Sequence, residues 1–294
     1  MNQRIVFITL LLAATVTFNG CRMGAGRGEA KSVVSASILP LQYFTDQLTG
    51  EALEVNVMIP PGASHGTYSP TTLQFQNLSL SGIYFMIGNL GYERAFVHRL
   101  GELNPDMKLV NLSLHTELIQ GDEVDHGDHV HEGGIDPHIW MSPLVMLDLL
   151  PIMASAIAEV YPELEEVVHG NLPLLLEEVR EVHEAFLALA ETLSDRRFLI
   201  FHPALTYLAR DYGFEQVAIE HAGKEPTPAQ LSRLIRRSRA ENIPVIFIQE
   251  EYDMRNAQLI SEETGAEVVQ TNPLAYNWTA SMYALHQAMK DALQ

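Results

Sequence analysis

The chain has 294 residues, of which 37 are acidic and 18 are lysine or arginine, so its formal net charge is −19 at pH 7. This acidity excludes a nucleic-acid partner, which needs basic surface, and is compatible with a cationic ligand. The single cysteine, Cys21, excludes internal disulfides and a zinc site built from several cysteines. The length predicts two domains of ordinary size.

Residues 1–20 predict an export signal. Arg4 precedes an uncharged apolar stretch at 5–18, which is shorter than the ~20 residues of a membrane span. Gly20 stands directly before Cys21, an arrangement that looks like a bacterial lipoprotein signal, in which the cysteine becomes the acylated first residue of the mature protein. An ordinary secreted protein with a spare thiol is the alternative. Residues 21–32 predict a flexible tether, because they are rich in glycine and alanine.

Beyond the tether, short apolar runs alternate with stretches of helical spacing in two series. The first series predicts strands at 33–38, 54–59, 83–87 and 108–111, and helices at 41–48, 71–78, 92–100 and 143–161. The second predicts strands at 198–201, 216–219, 245–248 and 267–269, and helices at 205–212, 227–241, 254–264 and 279–293. Since such alternation forms βα units, it predicts mostly parallel sheets.

Residues 162–194, between the two series, have no strand pattern and predict one long helix, which Pro173 is expected to kink or split. The predicted fold class is therefore α/β. It comprises two lobes, 33–161 and 195–294, each with a mostly parallel sheet flanked by helices, joined by the linking helix. Asp253 is a candidate N-cap and Gly265 a candidate C-cap in the second lobe.

Two histidines come after predicted strands. His202 ends the apolar run 198–201, and His65 lies in the loop after the strand at 54–59. Both therefore belong to the carboxyl edge of a parallel sheet, where open α/β folds bind ligands. Capping of the next helix is the alternative role for His202.

His138 lies in the stretch DPHIWMSP, which Pro137 and Pro143 make rigid. A rigid backbone presents an imidazole with the fixed geometry that a metal site requires, and Asp136 is placed to orient the ring. A packing histidine in a helix-entry turn is the alternative. Together with His65 and His202, it would offer three imidazoles and an open fourth position in a cleft between the lobes, which suits zinc.

The segment 121–134, GDEVDHGDHVHEGG, is called the histidine-rich loop below. It is acidic and has no apolar periodicity, which predicts a mobile loop. His126, His129 and His131 are candidates for an auxiliary, exchangeable metal site, because imidazole with carboxylate suits borderline metals. A solvated linker with incidental histidines is the alternative.

These motifs together resemble the metal-binding components of zinc and manganese ABC importers, the cluster A-I solute-binding proteins. The resemblance rests on the Pro-Gly-x-x-x-x-x-Tyr-x-Pro loop at 61–70, Asp-Pro-His-x-Trp at 136–140, Phe-His-Pro-Ala at 201–204 and the histidine-rich loop before Asp136. It implies an extracytoplasmic lipoprotein that binds one metal ion between its lobes and delivers it to a membrane permease. It further implies a monomer held at the cell membrane or in the periplasm.

The resemblance assigns metal ligation to His138 and His202, and leaves two ligands open. The family's first histidine stands where this chain has Gly66, so that either His65 is shifted into place, the histidine-rich loop supplies a ligand, or one is lost. The family often has an aspartate as the fourth ligand at the position of Asn272. In this chain the fourth ligand is therefore either the amide of Asn272 or water. Because a neutral amide is a poor ligand for a hard cation, we expect Zn²⁺ as cargo before Mn²⁺ or Fe²⁺.

Two other functions fit a three-histidine metal site. A zinc-bound water would allow hydrolysis or hydration chemistry, but the sequence shows neither a positioned general base nor a Gly-x-Ser-x-Gly nucleophile motif. A surface adhesin is the third possibility, because some members of the family are described in that way. We therefore predict a binding protein and not an enzyme.

Overall fold

The eight predicted strands form two parallel four-stranded sheets in a computed structural model, which describes residues 32–121, 124–125, 130–131, 134–220 and 226–294. The first sheet contains β1 (Val33–Ala36), β2 (Glu54–Val57), β3 (Ile83–Met86) and β4 (Lys108–Asn111), in the order β2-β1-β3-β4. The strand order reverses between β1 and β3, which makes their carboxyl ends the expected ligand edge. The predicted signal, Cys21 and nearly all of the tether lie outside the described residues.

A short antiparallel ladder, β5 (Val124–Asp125) with β6 (Val130–His131), lies in the histidine-rich loop. Its base is closed by a bridge between Gln120 and Ile135. The sequence did not predict this ladder, because charged and glycine residues surround its two valines. His126 and His129, together with the side chain of His131, lie outside the described part of the chain.

The second sheet contains β7 (Arg197–Ile200), β8 (Glu215–Ala218), β9 (Val245–Gln249) and β10 (Glu267–Thr271), in the order β10-β9-β7-β8. All three of its strand pairs are parallel. The carboxyl ends of the central strands β7 and β9 lie side by side, so residues that follow them share one edge of the sheet.

Nine α-helices are found among the described residues. They are α1 (Leu39–Thr49), α2 (Thr72–Ser79), α3 (Gly91–Leu103), α4 (Pro143–Val160), α5 (Glu165–Thr192), α6 (Thr206–Tyr212), α7 (Pro228–Glu241), α8 (Arg255–Thr264) and α9 (Trp278–Leu293). Gly265 ends α8 in the left-handed conformation, as predicted. Asp253 lies one residue before the N-cap, Met254, and its carboxylate accepts the backbone N–H of Arg255 at 2.9 Å.

The linking helix α5 runs without interruption through Pro173, so the expected split is wrong. Proline removes one helical hydrogen bond. Pro173 is exposed, however, and water can satisfy the carbonyl that loses its partner. The apolar face of the helix packs against α1, α4 and α9 on both sides of Pro173, which supports a continuous helix. The buried residues of this face are Val168, Leu175, Val179, Val182, Phe186, Leu189 and Ala190.

One hydrophobic core extends through both lobes and α5. Two tryptophans join the lobes near the cleft: Trp140 Nε1 donates to the carbonyl of Pro273 at 2.8 Å, and Trp278 Nε1 donates to the carbonyl of Trp140 at 2.8 Å. Trp278 also packs on Phe44 of α1, with ring centroids 5.1 Å apart. Buried bonds of this kind fix the lobes relative to each other, since breaking one leaves an unsatisfied group.

Among the described residues, α4 is the one helix that is long and apolar enough to cross a membrane by length and composition alone. Half of it is buried inside the protein, against β3, β4 and α5. These contacts are those of a central core helix.

Candidate metal centre

His65 is held in a tight turn after β2. The backbone N–H of Ala63 donates to the carbonyl of Pro60 at 3.2 Å, and Gly62 has φ +75°, a left-handed conformation that favours glycine. The carbonyl of Ser64 then accepts the N–H of Tyr68 at 2.9 Å. Two consecutive turns therefore point His65 inward, where only 4 % of the residue is exposed.

His138 is held by Asp136 at both its backbone and its ring. Asp136 Oδ1 lies 2.8 Å from the backbone nitrogen of His138 and 2.8 Å from its Nδ1. Tyr207 in turn donates to the carbonyl of Asp136 at 2.9 Å. With Nδ1 donating its proton to Asp136, the lone pair of Nε2 is free and faces the cleft.

His202, directly after Phe201 at the end of β7, is fixed by side chains from the two neighbouring strands. Gln249, the last residue of β9, accepts the backbone N–H of His202 at 3.2 Å and donates to its carbonyl at 2.6 Å. Glu220, just beyond β8, places Oε2 3.3 Å from Nδ1 of His202. The ring is thus oriented by a buried carboxylate, in the same manner as that of His138.

The three imidazoles meet at their Nε2 atoms. Nε2 of His65 lies 2.8 Å from Nε2 of His138 and 3.2 Å from Nε2 of His202. The three ligand atoms all lie within 4.8 Å of one another, in the one group of this kind among the described residues. Tetrahedral zinc with Zn–N bonds of about 2.0 Å holds its nitrogens about 3.3 Å apart, and the two distances from Nε2 of His65 differ from this value by about 0.5 Å and about 0.1 Å.

Burial keeps the imidazoles of the site neutral, which is the form in which they can bind a cation. Burial lowers the pKa of His65 well below its usual value, and repulsion from His138 and His202 adds to the effect. Burial also lowers the pKa of His138, although Asp136 opposes this. For Asp136 itself burial favours the neutral acid, but attraction and hydrogen bonds from His138 hold its pKa below the usual value. An ionised Asp136 therefore faces a neutral imidazole, the form that binds metal.

Asn272 already has partners for both ends of its amide. Its Nδ2 donates to Glu250 Oε2 at 2.9 Å, and its Oδ1 accepts the N–H of Leu274 at 3.0 Å. An amide engaged in this way is a poor candidate for the fourth position, so water fits that position better. Three imidazoles with one open position form a donor set that suits zinc. Manganese favours oxygen ligands and is expected to bind this set more weakly.

The structure thus brings together His65, His138 and His202, whereas the histidine-rich loop contributes no described side chain. Sequence reasoning had not found the roles of Glu220 and Gln249. A signal for Glu220 was present, since it follows a predicted strand just as His202 does. Only the strand order places those two strand ends next to each other.

We expect Asp136→Asn to weaken zinc binding about 10- to 100-fold, the usual effect of losing such a supporting carboxylate. The neutral amide keeps the shape of the side chain but removes the charge that holds the tautomer of His138. The dissociation constant can be measured by competition with a chromophoric chelator. Asp148→Asn, at an exposed position of α4, is the matched control, and equal affinity of the two variants would contradict the role of Asp136.

Comparison with known proteins gives consistent matches along most of the chain. A family model described as "ZnuA: Zinc-uptake complex component A periplasmic" matches residues 34–292. The "Zinc-binding lipoprotein AdcA" of Streptococcus pneumoniae is 26% identical over 276 residues, covering 91% of this chain and 55% of the longer relative. This chain therefore spans about half the length of that protein.

Two further matches cover nearly the whole of both partners. The "High-affinity zinc uptake system protein ZnuA" of Bacillus subtilis is 25% identical over 276 residues, covering 90% of this chain and 85% of the relative. A crystal structure of a ZnuA superimposes with a TM-score of 0.80 at 29% identity, covering 90% of this chain and 100% of that one. The fold predicted from the sequence, two parallel α/β lobes joined by a long helix, is confirmed.

Proposed function

The chain belongs to the family of periplasmic zinc-uptake component A proteins, and we propose on this premise that it captures Zn²⁺ outside the cytoplasm for an importer. The observation that carries the proposal is the convergence of three imidazole Nε2 atoms, two from the first lobe and one from the second. Since each side chain is nearly buried and pre-oriented, binding needs little reorganisation. The cleft lies between the proposed lobes 33–161 and 195–294, with 162–194 as the link.

The proposal includes a partner and a location. The partner follows from the family, because a zinc-uptake component passes its ion to a transporter, and we propose that this transporter is the membrane permease of an ABC importer. We place the protein at the cell envelope as a monomer, anchored through an acylated Cys21. The anchor is supported by the residues before Cys21 and by the lipoprotein name of one relative. The same family supports a protein that binds the metal as cargo, and the proposal includes no catalysis.

Competitive titration tests the choice of metal. With a soluble form beginning at Ser32, we expect one equivalent of zinc to bind tightly and manganese to bind at least 100-fold more weakly, because nitrogen donors favour zinc. In the same assay, Glu220→Gln would test whether the carboxylate of Glu220 supports zinc binding by orienting the ring of His202. Tight manganese binding that zinc fails to displace would contradict the proposed cargo, and the absence of tight binding of either metal would contradict the receptor function itself.

The affinity for zinc is expected to depend on pH in one direction only. Protons compete with zinc for neutral imidazoles, and the lowered pKa values of His65 and His138 move this competition below the ordinary histidine value of about 6.5. These two ligands should therefore cause no loss between pH 7.5 and 6.5, followed by a steep loss in more acidic buffer. Dissociation constants measured from pH 7.5 downwards check this, and a loss of affinity that is already complete at pH 6.5 would contradict the lowered pKa values of these two ligands.

A further inference from the structure

The loop that carries His65, residues 59–70, has both of its ends bonded to one side chain, that of Gln74 in the first turn of α2. The amide nitrogen Nε2 of Gln74 donates to the carbonyl of Val57 at 2.9 Å and to the carbonyl of Met58 at 3.0 Å. Val57 ends β2 and Met58 follows it. Both protons of the amide are therefore bonded at the point where the loop begins.

The amide oxygen of Gln74 is bonded to the other end of the loop. Its Oε1 accepts the backbone N–H of Thr71 at 2.8 Å and the hydroxyl of Thr71 at 3.1 Å. It also accepts the hydroxyl of Tyr68 at 2.9 Å. Thr71 is the N-cap of α2, and its hydroxyl accepts the backbone N–H of Gln74 at 3.3 Å, which completes a capping box. One side chain therefore joins the two ends of the loop.

An amide suits both sets of bonds, because it has donors on one side and an acceptor on the other. Two carbonyls must receive protons where the loop begins, and a backbone N–H must meet an acceptor where it ends. A carboxylate at this position would complete the capping box equally well, but it has no proton for the carbonyls of Val57 and Met58. Since the helix needs only an acceptor here, the donor side of Gln74 serves the loop.

His65 depends on its backbone more than the other two ligands depend on theirs. His138 and His202 each have a carboxylate beside Nδ1, whereas Nδ1 of His65 is buried with no hydrogen-bond partner among the described residues. The position of its ring therefore relies on the loop that carries it. The two turns inside the loop hold the backbone locally, and the bonds of Gln74 fix the two ends of the loop relative to each other.

We propose that Gln74 is a positioning residue that holds the base of the loop 59–70 closed and thereby keeps His65 in the position that binds the ion. The proposal rests on the proposed function, since zinc is the ion whose affinity reports the position of His65. A loop already held in its binding conformation does not have to be ordered when zinc arrives. If only a fraction of the molecules hold His65 in place, the measured dissociation constant rises by the inverse of that fraction.

The zinc affinity of Gln74→Glu tests this role. The substitution keeps the size of the side chain and the acceptor of the capping box, and it removes the two bonds donated by Nε2. We expect the dissociation constant to rise about five- to 100-fold, the range of two net hydrogen bonds. Gln230→Glu is the matched control, because Gln230 makes the same capping box with Thr227 in α7 while its Nε2 donates no hydrogen bond to the described residues. It should bind zinc as the unaltered protein does.

The same substitution in the His65→Ala background separates positioning from general damage to the fold. If Gln74 acts through His65, Gln74→Glu should weaken zinc binding no further once His65 is absent, whereas a general loss of structure would weaken it by the same factor in both backgrounds. Tyr68→Phe removes only one hydroxyl bonded to Oε1 and should raise the dissociation constant about two- to tenfold, with the same dependence on His65. It decides the outcome if the zinc-free melting curve shows that Gln74→Glu does not fold.

An unchanged affinity of the folded Gln74→Glu variant would overturn the positioning role, as would a loss of equal size in the His65→Ala background. Failure of the proposed function would look different. If the unaltered protein binds zinc tightly and Gln74→Glu binds it equally well, only the positioning role fails; if the unaltered protein binds no zinc tightly, the proposed function fails.

Discussion

Replacing His65 with alanine is expected to weaken zinc binding by about 10²–10³. Structural zinc sites with four ligands gain about 10–16 kcal/mol on binding, so one ligand accounts for about 2.5–4 kcal/mol. His65 is the most informative of the three histidines to remove, because its Nδ1 has no partner among the described residues that would be left buried and unpaired. The loss should therefore report metal ligation with little damage to the fold.

The same variant tests whether His65 is the first ligand, although it stands one place before the position of the family's histidine, which is Gly66 here. The structure supports a role for His65 despite its shift by one place, since two turns carry its ring into the cleft. His169→Ala is the matched control, because His169 is exposed on α5. Zinc affinity that survives His65→Ala would contradict this role and would transfer the third ligand elsewhere, with the histidine-rich loop as the first candidate.

Zinc is expected to stabilise the folded protein strongly, because its ligands come from both lobes and meet only in the native state. Free zinc at about 1,000 times its dissociation constant should add about 4 kcal/mol to the free energy of unfolding. At about 2–4 °C per kcal/mol for a protein of this size, the melting temperature should rise by about 8–16 °C. Differential scanning calorimetry with and without zinc measures the shift.

His202→Ala should remove nearly all of this stabilisation, because it removes the one ligand of the second lobe. Its own zinc-free melting temperature is the reference, which separates lost metal binding from lost packing. Histidines outside the cleft that bind zinc equally in the folded and unfolded chain add nothing to the difference. A shift that persists in His202→Ala would show that zinc stabilises the protein from another site.

The sequence was sufficient for the architecture because the strands are short apolar runs between helices of clear periodicity. Val245–Gln249, for instance, is buried throughout and could be read directly as an interior strand. Local rules were weaker where tertiary contacts act. Pro173 should have interrupted α5, but packing on one face of the helix outweighed the loss of one hydrogen bond at an exposed position. The short ladder at 124–131 lacked the apolar run that marks a strand.

The site was predictable only in its ligands. His138 and His202 stand in motifs, and a histidine after a strand points to the carboxyl edge of a sheet. The roles of Glu220 and Gln249 were not found, because they depend on the order β10-β9-β7-β8, which places the ends of β8 and β9 on either side of β7. The sequence contains no local signal for that order. Likewise, no pattern reveals that the amide of Asn272 is already engaged.

X-ray absorption at the zinc edge of the one-to-one complex is the most direct test of a three-histidine zinc site. One equivalent fills the tighter site first, so any weaker contact in the histidine-rich loop stays out of the spectrum. The expected result is three imidazole nitrogens at about 2.0 Å with one oxygen completing a tetrahedron. A shell with one imidazole or none, or one made mainly of oxygen, would contradict the site formed by His65, His138 and His202.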